Sequence, residues 1–150
     1  MADNTIRRAR REDIEAIVRM LADDQLGATR DDLGDLEPYL RAFDEIDADP
    51  NQLLVVVVSG DEPVGTLQLT IIPGLARRGA LRGQIEAARI HAGHRGTGLG
   101  ADLVRWAIDE SRRRGCALVQ LTSDTSRTEA RRFYERLGFA PSHTGFKLKL

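Results

Sequence analysis

The chain has 150 residues, 41% of them hydrophobic and 30% charged, with a net charge of −1. A chain of that length buries most of its unfolded surface without disulfides or metals, and a net charge near zero provides no global field for nucleic acid. One cysteine excludes an internal disulfide, the N-terminus has no signal-peptide core, and no apolar run approaches the ~20 residues of a membrane span.

These features point to one cytoplasmic domain over residues 1–150. Cys116, in the apolar context Cys116-Ala117-Leu118-Val119, reads as a small buried hydrophobe rather than a nucleophile.

Thr5 to Ala9 reads as a first strand. Asp13 to Asp23 reads as a helix, because Ile14, Ile17, Val18 and Leu21 recur at helical spacing. Gln25 to Glu37 is polar and carries Gly27 and Gly34, so it reads as a loop. A second helix follows from Pro38 to Asp47, its apolar side marked by Tyr39, Leu40, Phe43 and Ile46. The β-branched run Leu53 to Val58 suggests a strand buried on both faces. Ser59 to Glu62 forms a turn, and Val64 to Ile72 alternates as the antiparallel partner.

Pro73 to Gly83 reads as a loop bearing glycine and arginine. Ile85 to His91 is the next strand, and Thr97 to Arg114 a long helix whose buried side includes Leu99, Leu103, Trp106 and Ile108. Gly115 ends that helix. Arg112, Arg113 and Arg114 suit its last turn, where the dipole favours cations. Ala117 to Thr122 is a strand and Arg127 to Leu137 a helix, capped by Ser126 with Asp124 as an N-terminal partner. Phe139 to Leu150 reads as two short strands around Gly145. The order is β-α-α-β-β-β-α-β-α-β-β, an α/β (α+β) fold with a mixed sheet.

Between the strand at Ile85–His91 and its helix lies Arg95-Gly96-Thr97-Gly98-Leu99-Gly100. The spacing fails both the P-loop and the dinucleotide fingerprint. A helix N-terminus still presents amides without internal partners and a partial positive charge. Glycines admit a ligand to that backbone, which makes an anion site. A tight strand-to-helix turn with no ligand explains the same glycines, so on their own they leave both readings open.

Arg95 to Gly100 matches the pattern R/Q-x-x-G-x-G/A, and "ARRFYERLGF" downstream matches A-x-x-x-Y-x-x-x-G-F through Ala130, Tyr134, Gly138 and Phe139. Both motifs, in this order, resemble the GNAT superfamily of acetyl-CoA-dependent N-acetyltransferases, whose element order is similar over nearly the whole chain. The resemblance implies a mixed, mostly antiparallel sheet of six to seven strands flanked by about four helices. It implies acetyl-CoA as co-substrate, without a metal. The three histidines form no close cluster for one.

It also implies roles. The pyrophosphate would bind the backbone of Arg95, Gly96, Thr97, Gly98, Leu99, Gly100 and Ala101. The strand before the loop would splay from its neighbour at a bulge, and Ala88, Arg89 and Ile90 would pair with the pantetheine arm. Tyr134 would donate a proton to the departing thiolate. Glu86 matches the position of a general base, a salt bridge to Arg82 or Arg89 being the competing explanation, with His91 and His94 as other candidates.

Where many relatives carry asparagine, this chain has Arg127, open either to a cofactor phosphate or to a place at the helix start. His143 could touch substrate or sit on an exposed turn. The acceptor would be a primary amine of a small molecule or peptide, in a pocket shaped by residues 25–46 and 73–82. An acidic rim from Asp31, Asp32, Asp35, Glu37, Asp44 and Glu45 would suit a cationic amine. Relatives commonly form homodimers. A catalytically degenerate module that only binds CoA is the alternative, and neither nucleic acid nor membrane is an expected partner.

Overall fold

The run Leu53–Val58 forms the middle of β2 (Gln52–Ser59) and is covered on both faces. Alternate residues of a strand point to opposite sides. Leu53, Val55 and Val57 accordingly join one apolar cluster, and Val56 and Val58 the other. This arrangement comes from a computed structural model that describes residues 3–24 and 26–150.

The sheet takes its strands in chain order: β1 (Asn4–Arg8), β2, β3 (Glu62–Ile72), β4 (Leu81–Ile90) and β5 (Cys116–Gln120). Neighbours run antiparallel except β4 and β5, which are parallel. Two helices, α1 (Ile14–Ala22) and α2 (Glu37–Ala48), lie over the face that carries Val56 and Val58. They bury Ile14, Ile17, Val18, Met20 and Phe43 there. A one-turn helix α3 (Ala76–Gly79) links β3 to β4, with Arg77 and Arg78 in the left-handed region at φ 56° and 60°. The long helix α4 (Leu99–Arg113) covers the opposite face through Leu99, Leu103, Val104 and Ala107. Helix α5 (Thr128–Arg136) follows β5. Among the described residues no helix is long and apolar enough to cross a membrane.

Three expectations need correcting. The sheet has five strands among the described residues, not six to seven. Residues 139–150 form no strand, because their backbone finds no ladder partner among the described residues. Phe146, Leu148 and Leu150 stand almost wholly in solvent, at 93%, 87% and 111% relative exposure.

Strand β4 begins at Leu81 rather than Ile85. Gly83, which read as a loop glycine, lies inside it. A Cβ there would meet Ser111 Oγ at 2.4 Å, so this glycine lets α4 approach the sheet. The third correction concerns α5, which has no side-chain cap. Asp124 instead accepts from the amide and hydroxyl of Ser126 at 2.9 and 2.6 Å, one turn earlier.

The triple arginine is spent on ion pairs. Arg112 bonds Asp109 at 3.2 Å, and Arg113 and Arg114 both pair with the buried Glu110. Cys116 is partly buried, and burial pushes its thiol up, with Arg114 pulling the other way.

Candidate functional site

The site begins where β4 leaves both neighbours. On the β3 side the register steps from Gln68 opposite Glu86 to Thr66 opposite Arg89. Ala87 and Ala88 therefore face Leu67 alone, which is a bulge. Ala87 takes φ 53°, a left-handed conformation uncommon for a residue with a Cβ. On the other side β4 pairs with β5 only from Leu81 to Gln84. The stretch Glu86–Ile90 thus has no β5 partner among the described residues, and a notch opens between the two parallel strands.

The glycine loop closes the end of this notch. His91 caps a short 3-10 turn, Ala92–His94, by accepting the Gly93 amide on Nδ1 at 3.1 Å. Thr97 Oγ1 donates to the His94 carbonyl at 2.5 Å. Gly96 and Gly98 then adopt φ 77° and 87°, and no atom lies within 4 Å of a Cβ built on either. Gly98 caps α4 without a side chain. Among the described residues no acceptor meets the amides of Gly96, Thr97, Gly98, Leu99, Gly100 or Ala101. These are the open donors that a helix start leaves, and they suit an anionic group.

Gly100 differs from the other two. It lies within α4, where a Cβ would make ordinary contact with Phe133 at 3.5 Å. Arg95 is anchored beside the loop. Its Nε donates to the Ile90 carbonyl at 3.2 Å, its Nη2 to the Asp23 carbonyl at 3.3 Å, and it lies 3.7 Å from the Asp23 carboxylate.

Tyr134 sits on α5 between Phe133 and Phe139, with ring centroids 5.1 and 5.8 Å away and steeply inclined. Burial pushes its phenol up, while the nearby Arg89 and Arg127 pull it partly back. No side chain among the described residues bonds its hydroxyl.

Behind it lies a group that sequence reasoning missed. Asp24, just after α1, receives Arg127 Nη2 at 3.0 and 3.2 Å. Arg89 Nε lies 3.3 Å from the same carboxylate, yet this buried atom makes no aligned hydrogen bond. Burial raises the Asp24 carboxyl, but the Leu26 amide, Arg127 and the Gly27 amide together outweigh it and hold it at about 2. The only signal in the sequence is an aspartate shortly before a glycine, which marks a turn. Its pairing with an arginine more than a hundred positions away is tertiary.

Glu86 is exposed, not isolated in apolar surroundings. It accepts from Gln84 Nε2 at 2.6 Å, and Gln84 in turn accepts from Gln120 at 2.9 Å. The salt bridge to Arg82 or Arg89 does not form, since Arg89 turns to Asp24. His143 lies on the exposed C-terminal segment, its Nδ1 2.6 Å from Ser142 Oγ.

Beyond the bulge a cleft of about 180 Å³ runs between α1, α2 and the sheet, with Ala87 in its wall. Its lining is apolar apart from Tyr39, Thr66 and Gln68. No acidic residue lines it. Asp44 pairs with Arg11 at 2.8 Å, and Asp31 accepts from Tyr39 at 3.0 Å.

The notch between two diverging parallel strands, closed by open amides, lies within a chain that resembles known proteins. The sequence model of the acetyltransferase (GNAT) family matches residues 14–139, and the chain belongs to that family. The chain is 32% identical over 98 residues to the aminoalkylphosphonate N-acetyltransferase of Salmonella typhimurium, a match covering 65% of this chain and 63% of that one. It thus spans less than two thirds of that curated relative. A transcriptional regulator from Bacillus halodurans C-125 superposes with a TM-score of 0.96 at 47% identity, covering 99% of this chain and all of that one. A Trypanosoma brucei acetyltransferase superposes at 0.81 with 25% identity, covering 99% and 100%.

Proposed function

We propose that this chain is an acetyl-CoA-dependent N-acetyltransferase acting on a primary amine. The observation that carries the reading is the row of open amides from Gly96 to Ala101 at the end of the notch between β4 and β5. These donors would hold the pyrophosphate of CoA, and the side of Ala88, Arg89 and Ile90 that faces away from β3 and has no β5 partner would hold its pantetheine arm. Acetyl-CoA, when bound there, supplies an activated acetyl thioester.

The protein's own groups manage protons and position. Tyr134 keeps its phenolic proton at neutral pH, because burial raises its affinity for it, and can release it to a leaving thiolate. Glu86, exposed beside the bulge, is an acceptor for the proton an amine must lose, directly or through water. The two groups divide the acid and base work, and the notch supplies proximity. Arg127, held by Asp24, acts here through the field it places near Tyr134 rather than as a free phosphate ligand.

The acceptor enters from the α1–α2 side. The apolar cleft beside Ala87 suits a small amine with a carbon skeleton, and the amine named for the Salmonella relative is small. The single free cysteine suits a cytoplasmic setting. A second reading follows from the Bacillus halodurans relative, which is described as a transcriptional regulator. In it the notch binds an acyl-CoA without turnover.

Calorimetric titration with CoA, paired with an amine screen that follows thiol release from acetyl-CoA, separates the two. Binding with turnover on an amine supports the enzyme. Binding without turnover on any amine supports the regulatory reading, and no CoA binding defeats both. Glu86→Gln should cut turnover while leaving CoA affinity unchanged.

A further inference from the structure

Across its bulge, β4 presents two opposite charges to the same side of the sheet. Glu86 stands opposite Gln68, and Arg89 opposite Thr66. Directly opposed residues of neighbouring strands share a face, and Gln68 and Thr66 both line the cleft under α1 and α2. In a regular strand Glu86 and Arg89 would point to opposite faces, because side chains alternate. The extra residue of the bulge removes that difference. Between them, Ala87 lies in the cleft wall and Ala88 packs on the α4 side.

The guanidinium of Arg89 is short of an anion. The carboxylate beside it, Asp24, turns both oxygens to Arg127 Nη2, at 3.0 and 3.2 Å. Arg89 Nε, 3.3 Å from that carboxylate, is buried and makes no hydrogen bond. Its Nη1 donates to the Ala88 carbonyl at 2.9 Å, and its Nη2 bonds no acceptor among the described residues. Burial pulls its proton affinity down; Asp24 opposes this, Arg127 adds to it, and Asp31 helps least. A guanidinium does not answer by losing its proton, so a second anion is what would compensate it. Arg89 also lies close enough to Tyr134 for each to feel the other's charge.

From this geometry we propose that the acceptor is an amino acid with an apolar side chain. Its carboxylate lies on Arg89, its amine faces Glu86, and its side chain enters the cleft beside Ala87. The inference rests on the acetyl-transfer reading above. Glu86 and Arg89 flank the two bulge alanines on one face, so the ammonium and the anion they take are a few bonds apart. The planar fork of a guanidinium matches a carboxylate. The cleft, apolar apart from Tyr39, Thr66 and Gln68, accepts a carbon side chain but offers no partner to a third charge. In the transfer the ammonium gives one proton to Glu86. The amine nitrogen then bonds the acetyl carbon as the C–S bond breaks, Tyr134 protonates the leaving sulfur, and the second proton on nitrogen restores the tyrosine. The N-acetyl product keeps its hold on Arg89 but has lost the positive charge that faced Glu86, which favours release.

Racemic leucine and isoamylamine share a skeleton and differ in the carboxylate alone. With acetyl-CoA saturating, thiol release should give leucine a kcat/KM roughly 100-fold above that of isoamylamine, the scale of a lost charge-assisted contact. Arg89→Met should bring that ratio close to one, and Arg89→Lys should recover part of it. A readout free of variants and turnover is calorimetric titration of the wild-type protein saturated with CoA, which has no acetyl group to give. There leucine should bind about tenfold tighter than isoamylamine, or better. Equal turnover or equal binding of the two amines overturns the proposal and leaves acetyl transfer standing. So does a ratio indifferent to Arg89→Met, or turnover only on amines without a carboxylate. No turnover on any amine, with CoA bound, removes acetyl transfer and this proposal together.

Discussion

Tyr134 owes its environment to side chains drawn from several elements. Phe133 and Phe139 fix its ring, and Arg89 and Arg127 limit how far burial raises its phenol. Tyr134→Phe keeps the ring and removes the hydroxyl alone. If the tyrosine acts as the acid, turnover should fall roughly 100-fold, with CoA affinity by calorimetry unchanged. Undiminished turnover would remove the role. The sign with pH is set by the raised phenol. The acid form persists up to at least the ordinary tyrosine value near about 10, and the rate it supports is lost only above that. The tyrosine was legible in the sequence because it sits in a motif. Asp24 was not, because nothing in a short aspartate-containing turn announces two arginines from distant strands and loops.

At the scale of elements, the three loop glycines prove to have different reasons. Gly96 and Gly98 are required by a left-handed backbone, whereas Gly100 is a helix residue with room for a methyl group. Gly98→Ala should therefore cost about 1 kcal/mol, a fall in melting midpoint of roughly 2–4 °C for a chain of this size. It should also weaken CoA binding in the same preparation, because the loop amides turn with the backbone. An unaltered midpoint and affinity would refute that reading.

Resemblance to a family pattern made this loop readable, the unbroken β-branched run made β2 readable, and hydrophobic period made β3 and α4 readable. Gly83 misled, because its reason is the approach of Ser111 from α4. The bulge was expected only through family resemblance. Ala87 carries no mark of its left-handed φ, since alanine is not the residue that such a conformation selects.

For the molecule as a whole, Asp24 joins the end of α1 to the start of α5 and the end of β4. Its carboxyl has a folded value of about 2 against 3.8 for the free group. A lowered carboxylate stabilises fully above its unfolded value and loses that contribution as pH falls through the folded one. The window is therefore about pH 4 down to pH 2, and the shift corresponds to an effect on the order of 2 kcal/mol. Denaturant unfolding of Asp24→Asn should show a deficit of that order at neutral pH that closes by about pH 2. A constant difference across that range would show that the carboxyl's charge is not what matters.

The same scale explains the missing strands. Residues 146–150 alternate apolar and cationic side chains yet form no strand, because a strand also needs a ladder partner, and that is decided outside the segment.

The valines of β2 have one more consequence. Because successive side chains serve opposite layers, that strand is a wall common to both apolar clusters. Neither layer can melt while the other stays intact, since opening one strips the backing from the other. The two halves of the fold are thus locked into a single cooperative transition, and the β2 amides exchange with solvent only when the whole sheet opens.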